Sequence, residues 1–382
     1  LWVLNFPPPK FLCRSAHSVT DDIIGIKVIK THESHIKWLL SLMLQQMKLS
    51  PKNFAFVIKS ISSEFDSLLK NTWKAAADAG FMNYSIPTTP SVTQCNVKGS
   101  TIIILTLPNR FISRRKPTVS QRIDEPLSPE GFNFTKVKPR ELLFSLSMED
   151  AEIPMGVVLA NVSPFTFGHS LLVPDPPKLF NQVIRKPSLE LALGSLLHSA
   201  DNLLCLGFNS LLAYASVNHL HYHLWYSMAP LHSATCPLVT KPALPAFMEL
   251  RQHCVDNFVF EFASISEYKA TLEHLWRVIE SCQQLKIAHN LFAARNGQGV
   301  LRVVLWPRRS VLKAKAVGPA PGTVTSRGYN VAVAELAGMM LVADEATCAA
   351  LRQEGALAAV LMNERLPDAE LAELYSLLAN RS

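Results

Sequence analysis

Three histidines alternate with bulky apolar residues in the stretch Asn218-His219-Leu220-His221-Tyr222-His223-Leu224-Trp225-Tyr226. Successive side chains of a β-strand point to opposite faces of the sheet. The alternation predicts that residues 211–226 contain a long strand, in which the three histidines share one face and the apolar residues between them bury the other. The sequence therefore predicts a sheet that displays a row of imidazoles.

Such a row admits three interpretations. Buried histidines that neighbours satisfy are common singly, but three on one face would pack badly and carry a desolvation cost. Two histidines in the spacing His-x-His can bind one zinc ion, although no other cluster of ligand residues accompanies the row. The third interpretation, which the sequence favours, is nucleotidyl transfer through a covalent bond between histidine and phosphorus.

Nucleophilic chemistry suits the middle histidine, His221. An imidazole with an ordinary pKa of about 6.5 is largely neutral, and therefore nucleophilic, at neutral pH. His219 and His223 would each lie roughly 6.6–7 Å from it along a strand, about the width of a phosphoryl group with its donors. We expect these two flanking residues to hydrogen-bond the phosphate oxygens and the leaving group.

Composition restricts the classes of protein and ligand. The 382 residues are 48% hydrophobic and 18% charged, which predicts a folded chain with a substantial core. The net charge of +7 favours a small anionic ligand over nucleic acid, because the basic residues are scattered and form no nucleic-acid-binding motif. Seven irregularly spaced cysteines favour a reducing compartment, the cytoplasm, over a disulfide framework. No apolar run reaches the roughly 20 residues that span a bilayer.

The order of elements predicts an α+β fold. A helix is expected between Phe54 and Gly80, strands over 101–107, 156–160, 169–173 and 299–306, and helices over 189–204, 345–353 and 368–378. Ser264 is placed to begin a further helix. A proline-rich stretch at 230–245 marks the predicted boundary between a catalytic domain, 52–240, and a C-terminal companion domain, 241–382. Residues 1–51 are expected to be an ill-defined extension.

Ordered segments along the chain carry a resemblance to a known family. The row of histidines, together with the 161–174 segment around Gly168 and His169, resembles the histidine-triad superfamily. More narrowly, residues 132–139, 207–210, 215–221, 287–291, 329–332 and 335–338 resemble, in this order, the GDP-D-glucose phosphorylase family. The resemblance runs from about residue 55 to the C-terminus.

This resemblance implies a two-lobed fold of antiparallel sheets with flanking helices, and a guanylyl transfer without metal or cofactor. The family cleaves GDP-glucose with inorganic phosphate and yields GDP and glucose 1-phosphate. By analogy His221 is the nucleophile, and His219 and His223 assist it. A nucleoside diphosphate sugar hydrolase is the alternative on the same site, because His223 stands where superfamily transferases often carry glutamine. A regulator that binds guanine nucleotides without turnover is a third alternative.

The remaining residues of the predicted site are expected to bind substrate: Asn161, His169, Asn209 and Ser210. Guanine needs an acceptor for its N1 and N2 protons, and Asp124 or Glu125 is a weak candidate, because the sequence favours a solvated pair of carboxylates at these positions. The basic segment from Arg110 to Lys116 is either a solvated turn or a clamp that faces phosphate.

Overall fold

In the computed structural model, the described residues are 46–56, 63–86, 91–97, 100–113, 120–148, 152–153, 155–312 and 330–381. Fourteen strands are found in this part of the chain: β1 Gln46–Leu49, β2 Ser91–Val97, β3 Ser100–Thr106, β4 Leu142–Met148, β5 Met155–Ala160, β6 Ser170–Pro174, β7 Leu204–Asn209, β8 Tyr222–Tyr226, β9 Leu238–Thr240, β10 Met248–Leu250, β11 Phe258–Phe262, β12 Ala288–Arg295, β13 Leu301–Arg308 and β14 Met339–Val342.

Eleven of these strands form one sheet, in the order β1-β4-β5-β6-β8-β7-β12-β13-β11-β10-β9. The neighbours are antiparallel except for β1 and β4. A second sheet has the order β14-β3-β2, with β14 parallel to β3. The predicted α+β class, with antiparallel sheets and flanking helices, is confirmed.

The described residues form nine α-helices, most of which flank the large sheet: α1 Glu64–Asp78, α2 Pro108–Ser113, α3 Lys186–Leu197, α4 His232–Thr235, α5 Ile265–Gln284, α6 Val333–Ala337, α7 Glu345–Leu351, α8 Ala356–Met362 and α9 Asp368–Ala379. Helix α7 packs on the small sheet. The longest, α5, begins where predicted, because the Ser264 side chain accepts a hydrogen bond from the main-chain N–H of Glu267. Gly80, at φ +71°, follows the end of α1 in a conformation that favours glycine.

Apolar side chains of the described residues fill two large clusters and a small one of Ile123, Ala213 and Ala288. The first large cluster includes Leu220, Tyr222 and Leu224, together with residues of helices α1, α3, α5 and α9. The second contains Trp225 and residues of α6, α7, α8 and the small sheet. Within β8, Tyr222, Leu224 and Tyr226 belong to the first cluster and Trp225 to the second, which agrees with the predicted alternation of faces along this strand.

Three predicted elements need correction. The helix predicted to begin near Phe54 begins at Glu64, where the Ser63 side chain accepts a hydrogen bond from the main-chain N–H of Asp66. The strand predicted within 211–226 carries only the last of the three histidines, since β8 begins at Tyr222. The helix predicted over 189–204 runs from Lys186 to Leu197, and Leu204 opens strand β7. The hairpin of β5 and β6 is confirmed.

The domain boundaries stay a prediction. Strands from both sides of residue 240 belong to one sheet, because β7 pairs with β12. Within the predicted extension of residues 1–51, Gln46–Leu49 form β1 beside β4, and residues 1–45 lie outside the described part of the chain.

Candidate active site

A cavity of about 460 Å³ lies beside the histidine row. Its volume is within the range of sites for small ligands and cofactors. Polar and aromatic side chains from distant parts of the chain line it: Arg110, Phe132, Phe134, Asn161, Asn209, Tyr214, His221, His223, Trp225 and Glu335.

The histidines reach this cavity in a different backbone conformation from the one predicted. Of the three, only His223 belongs to β8, and His219 and His221 precede the strand. His221 and His223 nevertheless line the cavity together, with ring centroids 5.2 Å apart. His219 is fully buried and does not line it.

His221 is held as a neutral ring with a defined tautomer. Its Nδ1 lies 2.7 Å from the main-chain carbonyl oxygen of His219. Because a carbonyl can only accept, Nδ1 carries the proton and Nε2 keeps its lone pair. Burial lowers the pKa of His221 to about 4. The free nitrogen of this ring is therefore a nucleophile over the whole neutral range of pH.

The opposite tautomer is favoured at His219. Its Nδ1 accepts a hydrogen bond of 3.0 Å from the main-chain N–H of Phe134, which assigns the ring proton to Nε2. No partner for this Nε2 is found among the described residues. Burial, followed by the neighbouring His221, lowers the pKa of His219 to about 4. His219 thus supports His221 through its carbonyl group rather than through its ring.

His169, which lies in the hairpin of β5 and β6, contacts His223, the third histidine of the row. Nε2 of His169 lies 3.1 Å from Nδ1 of His223, and its own Nδ1 accepts from the main-chain N–H of Phe165 at 3.2 Å. Asn161 Nδ2 lies 3.1 Å from the same Nε2. We assign the proton to Nε2 of His169, because its Nδ1 accepts from the Phe165 N–H and a neutral imidazole carries its one ring proton on the other nitrogen. His169 then donates to His223, which leaves the proton of His223 on its other nitrogen.

Asn209 and Ser210, the two predicted site residues at the end of β7, differ in whether they line the cavity. Asn209 lines the cavity, and its Oδ1 accepts from Asn290 Nδ2 at 2.6 Å and from the N–H of Val333 at 2.9 Å. Its amide nitrogen has no partner among the described residues and can donate to a ligand. Ser210 does not line the cavity, and its hydroxyl group accepts from the N–H of His289 and donates to the carbonyl of Leu211. The structure gives Ser210 a main-chain contact instead of a place at the cavity.

Arg110 brings a positive charge to the histidines. It lies on α2, lines the cavity, donates to the carbonyl oxygen of Ser163, and has its guanidinium carbon 5.3 Å from the centre of the Phe165 ring. After burial, which is the main cause, its charge helps to lower the pKa of His169 and His223 well below the ordinary value. The other basic residues of the predicted clamp, residues 114–116, lie outside the described ranges.

Glu335 is a cavity residue whose role the sequence did not reveal. It lies on α6, and its Oε2 accepts a 2.9 Å hydrogen bond from the N–H of Ala332. The nearest arginine side chains are engaged elsewhere, Arg308 with Glu364 and Arg110 with Ser163. Burial raises the pKa of Glu335 to about 7. Arg110 and Arg308 only partly offset the effect of burial on this pKa, and the carboxyl group forms no ion pair among the described residues.

The predicted carboxylates for guanine lie elsewhere. Asp124 forms ion pairs with Arg122 and Lys286, and these hydrogen bonds hold its pKa well below the usual range. Glu125 accepts from the main-chain N–H of Gln121. Neither residue lines the histidine cavity.

Metal ligation has no geometric support in the part of the chain that is described. No three side chains of histidine, cysteine, aspartate or glutamate converge there as a metal site would require. The histidine nitrogens instead face main-chain groups or one another. No helix within the described ranges has the length and apolar character needed to cross a membrane.

Comparison with known families and proteins gives consistent matches. Residues 64–225 match the GDPGP1-like N-terminal domain, and residues 231–378 match the GDPGP1-like C-terminal domain. GDP-D-glucose phosphorylase 1 of Danio rerio is 32% identical over 291 residues, 72% of this chain and 79% of that protein. The Homo sapiens protein of the same name is 29% identical and covers 83% of both chains. GDP-L-galactose phosphorylase 1 of Arabidopsis thaliana is 29% identical over 72% of this chain and 65% of that protein.

A solved structure shares the fold. The yeast Ap4A phosphorylase in complex with AMP superimposes with a TM-score of 0.57, over 81% of this chain and 98% of that one. The sequences are only 13% identical, so this similarity concerns the fold alone.

Proposed function

The chain belongs to the GDPGP1-like family of GDP-hexose phosphorylases, and from this premise we propose that it catalyses the phosphorolysis of GDP-D-glucose. The main support is the neutral ring of His221, whose free Nε2 belongs to a side chain that lines a cavity of nucleotide size. The relatives with glucose in their names include the 32% identical fish protein.

In the first step, Nε2 of His221 attacks the α-phosphorus of GDP-glucose. The bond between this phosphorus and the oxygen bridging to the β-phosphate breaks, and glucose 1-phosphate leaves with that oxygen. The product is GMP bound covalently to the histidine. His221 needs no general base, because its attacking nitrogen carries no proton.

In the second step, inorganic phosphate takes the place of glucose 1-phosphate. A phosphate oxygen attacks the same phosphorus, the bond to Nε2 breaks, and GDP forms. The neutral ring returns to its starting state. Two successive displacements at one phosphorus predict ping-pong kinetics.

Fixed donors around the cavity stabilise the charge on the transferred group. We assign this role to the Arg110 guanidinium, the amide nitrogen of Asn209 and the outer N–H of His223. Charge-assisted hydrogen bonds to phosphate are shorter and stronger than neutral ones. His169 and Asn161 are assigned to the positioning of His223 rather than to direct contact with the phosphate.

Glu335 is the proposed acceptor for the N1 and N2 protons of guanine. It replaces Asp124 and Glu125 in this role, because it is a carboxyl group of the cavity wall without an ion pair in the described chain. Glu335→Gln should reduce the preference for GDP-glucose over ADP-glucose at least tenfold. The matched variant Asp124→Asn should keep the native preference, and the reverse pattern would contradict the assignment.

Turnover of a panel of nucleotide sugars, with and without phosphate, tests the proposed activity. We expect GDP-glucose to be consumed only with phosphate and to yield GDP and glucose 1-phosphate. Consumption without phosphate would identify a hydrolase, and GDP binding without turnover would identify a regulator. GDP-L-galactose and GDP-mannose test the choice of hexose.

His221→Ala and His289→Ala form a matched pair for this assay. Both rings are buried, and both Nδ1 atoms contact the carbonyl group two residues earlier, but His289 does not line the cavity. Only His221→Ala should abolish turnover. Equal losses would mean that removal of a buried ring, rather than of the nucleophile, explains the effect.

The compartment is proposed to be a reducing one, the cytoplasm. Four buried cysteines of the described ranges are free thiols: Cys205, Cys236, Cys282 and Cys348. Measurement of the reactive thiols in protein isolated from cells under alkylating conditions would test this proposal.

A further inference from the structure

The paired region of β7 and β8 ends just before the nucleophile. Its last pair in the direction of the cavity is Gly207 with His223. Extending the same antiparallel register by two residues would place Asn209 opposite His221. These two residues are not paired directly, although both line the cavity.

The side chain of Gln182 occupies the place of the missing pair. Its Oε1 accepts from the N–H of His221 at 2.9 Å, and its Nε2 donates to the carbonyl of His221 at 3.1 Å and to the carbonyl of Asn209 at 2.9 Å. Gln182 is fully buried. Its amide group therefore replaces the direct main-chain hydrogen bonds expected between opposite residues of an antiparallel pair.

Main-chain contacts hold this glutamine in place. The N–H of Gln182 donates to Oδ1 of Asn218 at 2.9 Å, and the N–H of Leu220 donates to the carbonyl of Phe180 at 2.8 Å. The segment 180–182 is thus tied to the segment 218–221 that carries the nucleophile.

Direct pairing of the two strands would satisfy the same main-chain groups without a buried polar side chain. Burying a glutamine amide costs rotamer entropy and desolvation, which its hydrogen bonds largely offset. The gain from the arrangement is therefore geometric. An inserted amide holds His221 and Asn209 further apart than the roughly 5.5 Å between opposite α-carbons of a hydrogen-bonded pair.

We infer that Gln182 is a positioning residue that separates His221 from Asn209, so that a phosphate group fits between the attacking nitrogen and the Asn209 amide. This inference rests on the proposed function for the identity of the ligand. By binding the N–H and the carbonyl on both sides of the His221 side chain, Gln182 also fixes the direction of attack. Misplacement of a reacting atom by about 1 Å can cost about 10²-fold in rate.

Gln182→Met tests the role with a side chain of similar length that makes none of the three hydrogen bonds. We expect kcat for GDP-glucose phosphorolysis to fall about 10²-fold, with KM changed less than about threefold. The control is Gln283→Met, since Gln283 donates one 2.9 Å hydrogen bond to the nearby carbonyl of Ile184 and does not touch His221. A folded Gln182→Met protein with the kcat of the control would overturn the inference.

Gln182→Glu gives a second readout that loss of stability alone would not produce. An ionised glutamate can only accept, whereas a protonated one both accepts from His221 N–H and donates to a carbonyl group. Activity of this variant relative to the native chain should therefore recover at least fivefold as the pH falls from 8 to 5.5. If the activity of Gln182→Glu relative to the native chain is constant with pH, the inference is contradicted. This test remains decisive even if Gln182→Met does not fold.

A crystal structure of Gln182→Met separates this inference from the proposed function. Direct hydrogen bonds between His221 and Asn209 are expected there, with the gap between the strands closed. An unchanged gap would overturn the inference whatever the activity. Absence of phosphorolysis by the native chain would instead overturn the proposed function and leave this structural result standing.

Discussion

Nδ1 of His221 lies 2.7 Å from the main-chain carbonyl oxygen of His219, and this contact determines which ring nitrogen is free to react. The carbonyl group belongs to the preceding histidine of the same row. His219 therefore places a hydrogen-bond acceptor beside the proposed nucleophile through its main chain, whereas its ring accepts from the N–H of Phe134.

The first prediction concerns the ionisation of His221. Its pKa of about 4 means that the ring is neutral, and therefore nucleophilic, down to about pH 4.5. NMR titration of the histidine rings, with the His221 signal assigned from the His221→Asn variant, should give a midpoint near 4. A midpoint near the ordinary 6.5 would show that the ring is not desolvated as described.

The same shift predicts a change of stability with pH. The folded chain binds this proton less tightly than the unfolded chain, so His221 lowers the free energy of unfolding as the pH falls from about 6.5 to about 4. His221→Asn should lose less stability than the native chain between pH 7 and pH 5, as measured by urea denaturation.

The second prediction concerns Gly207, which lies under helix α6. A Cβ atom at this position would come within 2.6 Å of Cγ1 of Val333 and 2.9 Å of the Trp225 ring. Gly207→Ala should therefore cost about 1–3 kcal/mol of stability by overpacking. It should also weaken turnover, since displacement of Val333 disturbs its hydrogen bond to Asn209.

Gly297→Ala is the control for this substitution. No heavy atom lies within 4 Å of the Cβ that would be added at Gly297. Its free energy of unfolding should stay within about 0.5 kcal/mol of the native value. Equal effects at the two glycines would mean that α6 does not pack on β7 as closely as described.

The third prediction concerns Glu335, whose pKa is raised by burial from 4.5 to about 7. The unfolded chain releases this proton more readily, so the native chain loses free energy of unfolding as the pH rises from about 4.5 to 7. Glu335→Gln removes that loss. Relative to the native chain, the free energy of unfolding of Glu335→Gln should therefore rise by up to about 3 kcal/mol between pH 5 and pH 8, as measured by urea denaturation. If the variant and the native chain differ in free energy of unfolding by the same amount at pH 5 and at pH 8, the raised pKa is refuted.

Much of the fold could be predicted from the sequence. The hairpin of β5 and β6 and the start of α5 at Ser264 follow from local patterns, because turn residues and a cap act over a few positions. The strand predicted to carry all three histidines carries only His223, for a reason that is not local. Gln182, nearly 40 positions before His221, occupies the hydrogen bonds that would have continued the strand.

The candidate site was predictable where its residues lie within one motif. The alternating row identified His221 and His223, and the hairpin identified His169 and Asn161. Glu335 lies in the segment 335–338 that resembles the family, but its place at the cavity, like that of Gln182, depends on tertiary packing and follows from no periodic pattern. Ser210 shows the opposite case, in which a residue beside a motif serves the main chain instead of the cavity.

The most direct test of the central claim is the mass of the chain after mixing with GDP-glucose in the absence of phosphate, at neutral pH. We predict an increase equal to one guanylyl group, mapped to His221 and discharged as GDP when phosphate is added. The adduct should form in His289→Ala and be absent in His221→Ala. A guanylyl group on any other residue, or phosphorolysis that continues in His221→Ala, would contradict the account.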